Sequence, residues 1–202
     1  MIIPSAEYDM IIITGACGSG KTTLAEKIAA ISPMTRIYCE DKVFAEAIKL
    51  GRMSLEENQE LRVVQDIRYD YLAQIFATNC SKIVCDIHLH TIRNVELFLQ
   101  VVENVLTKQK RNHIKILFVK LAPTRTMAQR FIIERMERLI SKKRGTYDDV
   151  INLAAEIGIL MELDEQRRDF QEVLNTPLQQ FKSQVFSISE LTVSDPTAVL
   201  VC

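Results

Sequence analysis

The chain has 202 residues, 48% of them hydrophobic and 25% charged, with a formal net charge of −1. That length and apolar content suit one α/β domain with a sizeable core, while a near-neutral balance supplies no global field to attract nucleic acid. Every long apolar stretch is broken by charge before it could span a membrane, the first residues lack the pattern of a secretion signal, and five cysteines without a C-x-x-C pair fit a reducing cytoplasm.

Residues 1–9 read as a short lead-in. Met10-Ile11-Ile12-Ile13 is an apolar run of the kind buried on both faces of a parallel sheet. It leads directly into Gly15-Ala16-Cys17-Gly18-Ser19-Gly20-Lys21-Thr22, which satisfies G-x-x-x-x-G-K-[ST] at every specified position. Gly15, Gly18 and Gly20 permit backbone angles that a side chain would block. The freed N–H groups can then point into one concavity and hold phosphate oxygens. Lys21 adds a positive charge near the β- and γ-phosphates, and Thr22 places a hydroxyl where Mg²⁺ would sit. The expected ATP-binding set is therefore Gly15, Ala16, Cys17, Gly18, Ser19, Gly20, Lys21, Thr22 and Thr23, with Cys17 a small filler residue. A helix from Thr22 to Ala30 follows, its N-terminal dipole favouring an anion, and Pro33 stops it.

Arg36 to Glu40 reads as a second strand, followed by Asp41, a helix from Lys42 to Lys49, and a longer helix from Ser54 to about Ala77. Lys82 to Asp86 is a third strand ending in a carboxylate, which in a phosphate-loop protein can anchor Mg²⁺ through water. No second acidic residue directly follows Asp86, which weighs against a water-activating ATPase. His88 and His90 are too few for a zinc site without further ligands, and a hydrogen-bonding role near a substrate is the expectation for His88. A helix is expected from Asn94 to Lys108, a fourth strand from Ile114 to Leu121, and a helix from Pro123 or Thr124 to about Ile140. The pattern breaks at Ser141 to Tyr147, after which helices are expected over Asp148 to Leu163 and Asp164 to Asn175, then a fifth strand over Gln184 to Ile188. The tail ending in TAVLVC is left open as an edge strand or an oligomer contact.

Strands alternating with helices predict a parallel sheet with helices on both faces, whose ligands bind outside the carboxyl ends of the strands. Between Thr124 and Arg144 seven basic residues stand against two acidic ones; from Gly145 to Glu172 two basic residues stand against eight acidic ones. A basic hairpin tip leading into an acidic helix suits a lid over phosphates, and equally suits a solvated charged helix.

The phosphate loop, the helical region after the second strand, Asp86 and the basic segment together resemble a nucleoside monophosphate kinase, most similar to the archaeal-type adenylate kinases. The residues that carry the likeness are Asp86-Ile87-His88-Leu89-His90-Thr91, Arg52-Met53 with Arg62 and Arg68, and Glu134-Arg135-Met136 followed by Lys143-Arg144 and Asp148-Asp149. The resemblance implies a three-layer phosphate-loop fold with five strands in the order 2-3-1-4-5. The domain would be single over residues 1–202, with an acceptor-binding region over 42–80 and a lid over 135–168. It implies γ-phosphoryl transfer from Mg·ATP to a nucleoside monophosphate, AMP foremost, by a cytoplasmic protein that can form homo-oligomers. Lys21, Arg135, Arg138 and Arg144 would act on the migrating group; Arg52, Arg62, Arg93 and His88 would meet the acceptor; Thr22 and Asp86 would place Mg²⁺. The alternatives are a kinase for another small acceptor and a regulatory or assembly ATPase. No membrane or nucleic-acid partner is expected.

Overall fold

The computed structural model describes residues 2–16, 18–32, 34–38, 82–89, 91–111, 113–142 and 167–202, with the backbone alone at 35–38, 135–136 and 138–142. Five parallel strands form the main sheet: β2 (Met10–Gly15), β3 (Thr35–Tyr38), β4 (Ile83–Asp86), β5 (Ile114–Leu121) and β6 (Phe186–Val193), in the order β3-β4-β2-β5-β6. Two further strands, β1 (Ile2–Ile3) and β7 (Leu200–Val201), pair in parallel as a separate two-stranded sheet. The helices α1 (Lys21–Ile31), α2 (Ile92–Lys108) and α3 (Arg125–Lys142) alternate with the strands, and residues 167–175 form a further helix, α4.

The central strand shows why this arrangement holds. β2 is bonded to β4 on one edge and β5 on the other, and all six of its residues are buried. Successive side chains of a strand point to opposite faces. Met10 and Ile12 thus join one core with Phe98, Phe118 and Phe170, whereas Ile11 and Ile13 join the other with Leu24, Ile28 and Val119. Asp9 fastens the sheet at the amino end: its N–H donates to the Lys115 carbonyl, its carbonyl accepts from the Ile83 N–H, and its carboxylate accepts from the Lys115 N–H.

The helices follow from local chemistry. α1 stops at Ile31 because Ser32, which precedes Pro33, is extended (φ −124°, ψ 159°), the conformation a following proline favours. Thr91 caps α2, its hydroxyl oxygen accepting from the Asn94 N–H at 3.2 Å. α2 buries Val95, Phe98, Leu99, Val102, Val105 and Leu106, the spacing of one helical face. Among the described residues no helix is long and apolar enough to cross a membrane.

Three expectations need correction. The last strand of the main sheet runs Phe186–Val193, well past the expected end at Ile188. Beyond Ile188 its residues are mostly part-exposed or polar, so no apolar run marks them, yet the ladder to β5 continues to Leu121↔Val193. The lead-in is not featureless: β1 forms there. It pairs with the unplaced tail, which becomes β7, so the fold has two sheets where one was expected. The Ser5 N–H donates to the Cys202 carbonyl, the Cys202 N–H donates to the Ile3 carbonyl, and Lys27 of α1 donates to the Val199 carbonyl. The helices expected over 42–49, 54–77 and 148–163, and so most of the acceptor and lid regions, lie outside the described residues.

One buried ion pair fastens the carboxyl side of the sheet. Lys120 of β5 is 2% exposed and pairs with Glu190 of β6. Its ammonium also donates to the Thr176 carbonyl at 2.9 Å, and Glu190 accepts from the Leu178 and Gln179 N–H groups. The pair thereby holds the end of α4 and the turn after it. Removing one partner of such a pair leaves a buried charge. Glu190→Ala should cost about 3–5 kcal/mol of stability in urea unfolding, and Lys120→Met combined with Glu190→Leu should recover most of it.

Candidate active site

The phosphate loop leaves β2 at the centre of the sheet's carboxyl edge. Its turn is closed by the Ser19 N–H donating to the Ala16 carbonyl at 3.2 Å. Gly20 then precedes α1 as its N-cap. Two glycines are required by their surroundings. Gly18 has φ 68°, and a Cβ there would lie 2.7 Å from Ile132 Cγ1; a Cβ on Gly15 would lie 2.7 Å from the Leu121 carbonyl oxygen. The loop is thus pressed between β5 and α3, closer than a side chain would allow.

Lys21 lies back across this loop. Its ammonium donates to the carbonyls of Gly15 at 2.9 Å and Ala16 at 3.0 Å. These bonds hold a positive charge over backbone that is glycine-rich and backed by a helix N-terminus, an arrangement that favours an anion.

Thr22 and Asp86 meet although 64 residues separate them: the Thr22 hydroxyl donates to Asp86 Oδ2 at 2.9 Å. The register Ile13↔Asp86 between β2 and β4 brings the carboxylate to the loop. Beyond it, the Ile87 N–H donates to the Ile13 carbonyl, and Thr14 exchanges two bonds with Leu89 through its hydroxyl, at 3.1 and 3.0 Å. This fixes the segment that carries His88, which is half-buried. Arg93 stands in the first turn of α2, 70% exposed and paired with Glu96 at 3.6 Å.

Cys17, Asp41, Arg52, Arg62, His90 and Arg144 lie outside the described residues. Positions 135 and 138 fall in the later turns of α3, where only the backbone is described. Among the described residues no group of three or more His, Cys, Asp or Glu side chains gathers to hold a metal.

Two parts of the neighbourhood were not anticipated from the sequence. The turn after β6 reaches the loop, and a Cβ on Gly20 would lie 3.2 Å from Pro196 Cγ. Asp195 caps this turn: its carboxylate accepts from the Thr197 hydroxyl at 2.6 Å and N–H at 2.9 Å. Those bonds, the hydroxyl's first, hold its pKa below the usual carboxylate range. An aspartate followed by proline is a recognisable turn start, but nothing in that pattern says which loop it faces. The second part is Arg167 of α4, whose guanidinium donates to the Pro123 carbonyl at 2.7 Å.

No family model matches the chain, and no curated protein matches it in sequence. Among solved structures it is similar to a protein from Chloroflexus aurantiacus provisionally described as a kinase, at 16% identity and a TM-score of 0.50 over 95% of this chain and 91% of that one. It also matches shikimate kinase from Bacteroides thetaiotaomicron at 17% identity and a TM-score of 0.47, over 81% of this chain and 82% of that one. A third match is shikimate kinase from Acinetobacter baumannii, in complex with shikimate, at 13% identity and a TM-score of 0.41, over 83% and 91%. The first likeness shows a shared α/β fold. None of the three is described as an adenylate kinase.

The fit of the loop against α3 makes a prediction. Gly18→Ala places a methyl group against Ile132 in left-handed backbone. It should cost about 1–3 kcal/mol in thermal unfolding; an unchanged unfolding temperature would show that the close approach is unimportant.

Proposed function

We propose that the protein is a phosphotransferase that moves the γ-phosphoryl group of ATP to a small acceptor, with a nucleoside monophosphate, AMP foremost, as the leading acceptor. The observation that carries this reading is the Thr22–Asp86 hydrogen bond beside the Lys21-clasped loop. It joins the three groups that phosphoryl transfer uses on the donor side: an anion-holding loop, a lysine cation and a paired hydroxyl and carboxylate. The similar fold of a protein described as a kinase agrees with it.

Thr22 and Asp86 offer oxygen donors 2.9 Å apart, a donor set that suits a hard cation such as Mg²⁺. Thr22 would bind the ion directly and Asp86 through water; when bound, Mg²⁺ neutralises charge on the β- and γ-phosphates. The loop N–H groups hold the β-phosphate. Lys21 exchanges its bonds to Gly15 and Ala16 for phosphate oxygens and follows the charge as it migrates. Arg135, Arg138 and Arg144 are assigned to close over the transferring group and exclude water. Arg52, Arg62, Arg93 and His88 are assigned to the acceptor. Asp86 is followed directly by Ile87 and not by a second acidic residue, which favours transfer over hydrolysis.

Lys21→Ala should lower kcat by about 10²–10³-fold while circular dichroism and the unfolding temperature show a folded protein. Normal turnover would remove Lys21 from the site. Asp86→Ala should raise the Mg²⁺ concentration needed for half-maximal rate, and activity unaffected by EDTA would dismiss the metal role of Thr22 and Asp86.

Coupled ADP-formation assays across nucleoside monophosphates and small hydroxyl-bearing acceptors test the reaction itself. The expected result is acceptor-dependent ADP formation, greatest with AMP. A bisubstrate analogue joining two adenosines through five phosphates should then bind at least tenfold more tightly than ATP, because it fills both sites. Equal affinities without AMP-dependent ADP formation would dismiss the adenylate reading, and turnover with no acceptor dependence at all would make the protein an ATPase.

A further inference from the structure

A cavity of about 510 Å³ lies against the phosphate loop, and Lys21, Thr22 and Asp86 are not among its described walls. One wall is the loop itself, at Ala16 and Ser19; another is the end of β5 and the turn after it; the rest comes from α3 and α4. The volume falls within the range of small-molecule sites, which combine a mainly apolar lining with a few convergent polar groups.

The polar groups are specific. The Ser19 side chain is 1% exposed, and its Oγ has no hydrogen-bond partner among the described residues. Buried hydroxyls are nearly always paired, so a donor or acceptor supplied from the cavity would complete it. Arg167 is half-buried and anchored on the Pro123 carbonyl, which places a guanidinium at the wall. Arg168 and Gln171, one helical turn apart on α4, are exposed and also border the cavity. Phe170 and Leu121 supply buried apolar surface. Two guanidinium groups beside an apolar floor favour an anion with a hydrocarbon body, since guanidinium matches the geometry of carboxylate and phosphate.

We propose that this cavity binds a small organic anion, a carboxylate or phosphate ester on an apolar body, alongside a triphosphate with which it shares Ala16 and Ser19 as a wall. The head group pairs with Arg167 and Arg168, the body lies on Phe170 and Leu121, and a polar substituent reaches Ser19. Because the ligand and ATP share the loop as a wall, each alters the other's affinity by the same factor. The site stands whether or not the protein transfers phosphate to AMP.

The test is a calorimetric and NMR titration of phenyl phosphate and of benzoate into the full chain saturated with a non-hydrolysable ATP analogue. At least one of the two should bind in the analogue's presence, at least tenfold more tightly than benzyl alcohol and than inorganic phosphate. Arg168→Ala and Gln171→Ala, both at exposed positions, should each weaken that binding at least fivefold, and Leu174→Trp, which fills the cavity, should abolish it. If Leu174→Trp fails to fold, the two exposed variants decide. Displacement of the probe by the ATP analogue one for one would assign it to the phosphate loop and overturn the proposal. So would affinity no greater than that of inorganic phosphate or benzyl alcohol, or binding indifferent to Arg168→Ala and Gln171→Ala.

Discussion

Strand β2 has a hydrogen-bonded neighbour on each edge and apolar packing on each face. It cannot shift by one residue without turning Ile11 and Ile13 into the core that holds Met10 and Ile12, and breaking both ladders. The phosphate loop grows from the end of this strand, which is paired on both edges and buried throughout. The same register sets Asp86 beside Ile13 and Leu121 beside Gly15. Position at the candidate site is therefore a property of the sheet, and the loop residues contribute mainly the chemistry.

That chemistry depends on close approach. Gly15 against the Leu121 carbonyl and Gly18 against Ile132 leave no room for a methyl group, and Pro196 comes up to Gly20 from the turn after β6. Contacts from several sides thus confine the described residues of the loop. The Lys21 ammonium, bonded to two loop carbonyls, adds to that confinement.

The buried Lys120–Glu190 pair has a different role. Such pairs seldom add net stability compared with apolar residues, because desolvating two charges costs about as much as their attraction returns. What this one does is geometric. Its bonds to the Thr176 carbonyl and to the Leu178 and Gln179 N–H groups define where α4 ends on the sheet. α4 in turn sets Arg167 on the Pro123 carbonyl and walls the cavity next to the phosphate loop. A polar contact within one core thus governs the shape of a site several residues away along the chain.

The sequence alone determined the features whose cause is local. The glycines and lysine of the phosphate loop, the apolar runs of β2 and β5, and the single buried face of α2 each follow from backbone sterics or from periodicity within a dozen residues. Asp86 was legible as a strand-ending carboxylate for the same reason. Strand order came to the sequence reading only through a family resemblance, because pairing between distant strands leaves no local trace. The polar second half of β6 was missed, since its identity as a strand comes from the ladder to β5 and not from its own composition. The union of β1 with β7, across nearly the whole chain, was equally invisible: two-residue strands carry no pattern. The partners of Lys120, the turn that brings Pro196 to Gly20, and the anchoring of Arg167 were decided by tertiary structure alone, because each is a contact between segments whose side chains have no preference for one another until the sheet has set them side by side.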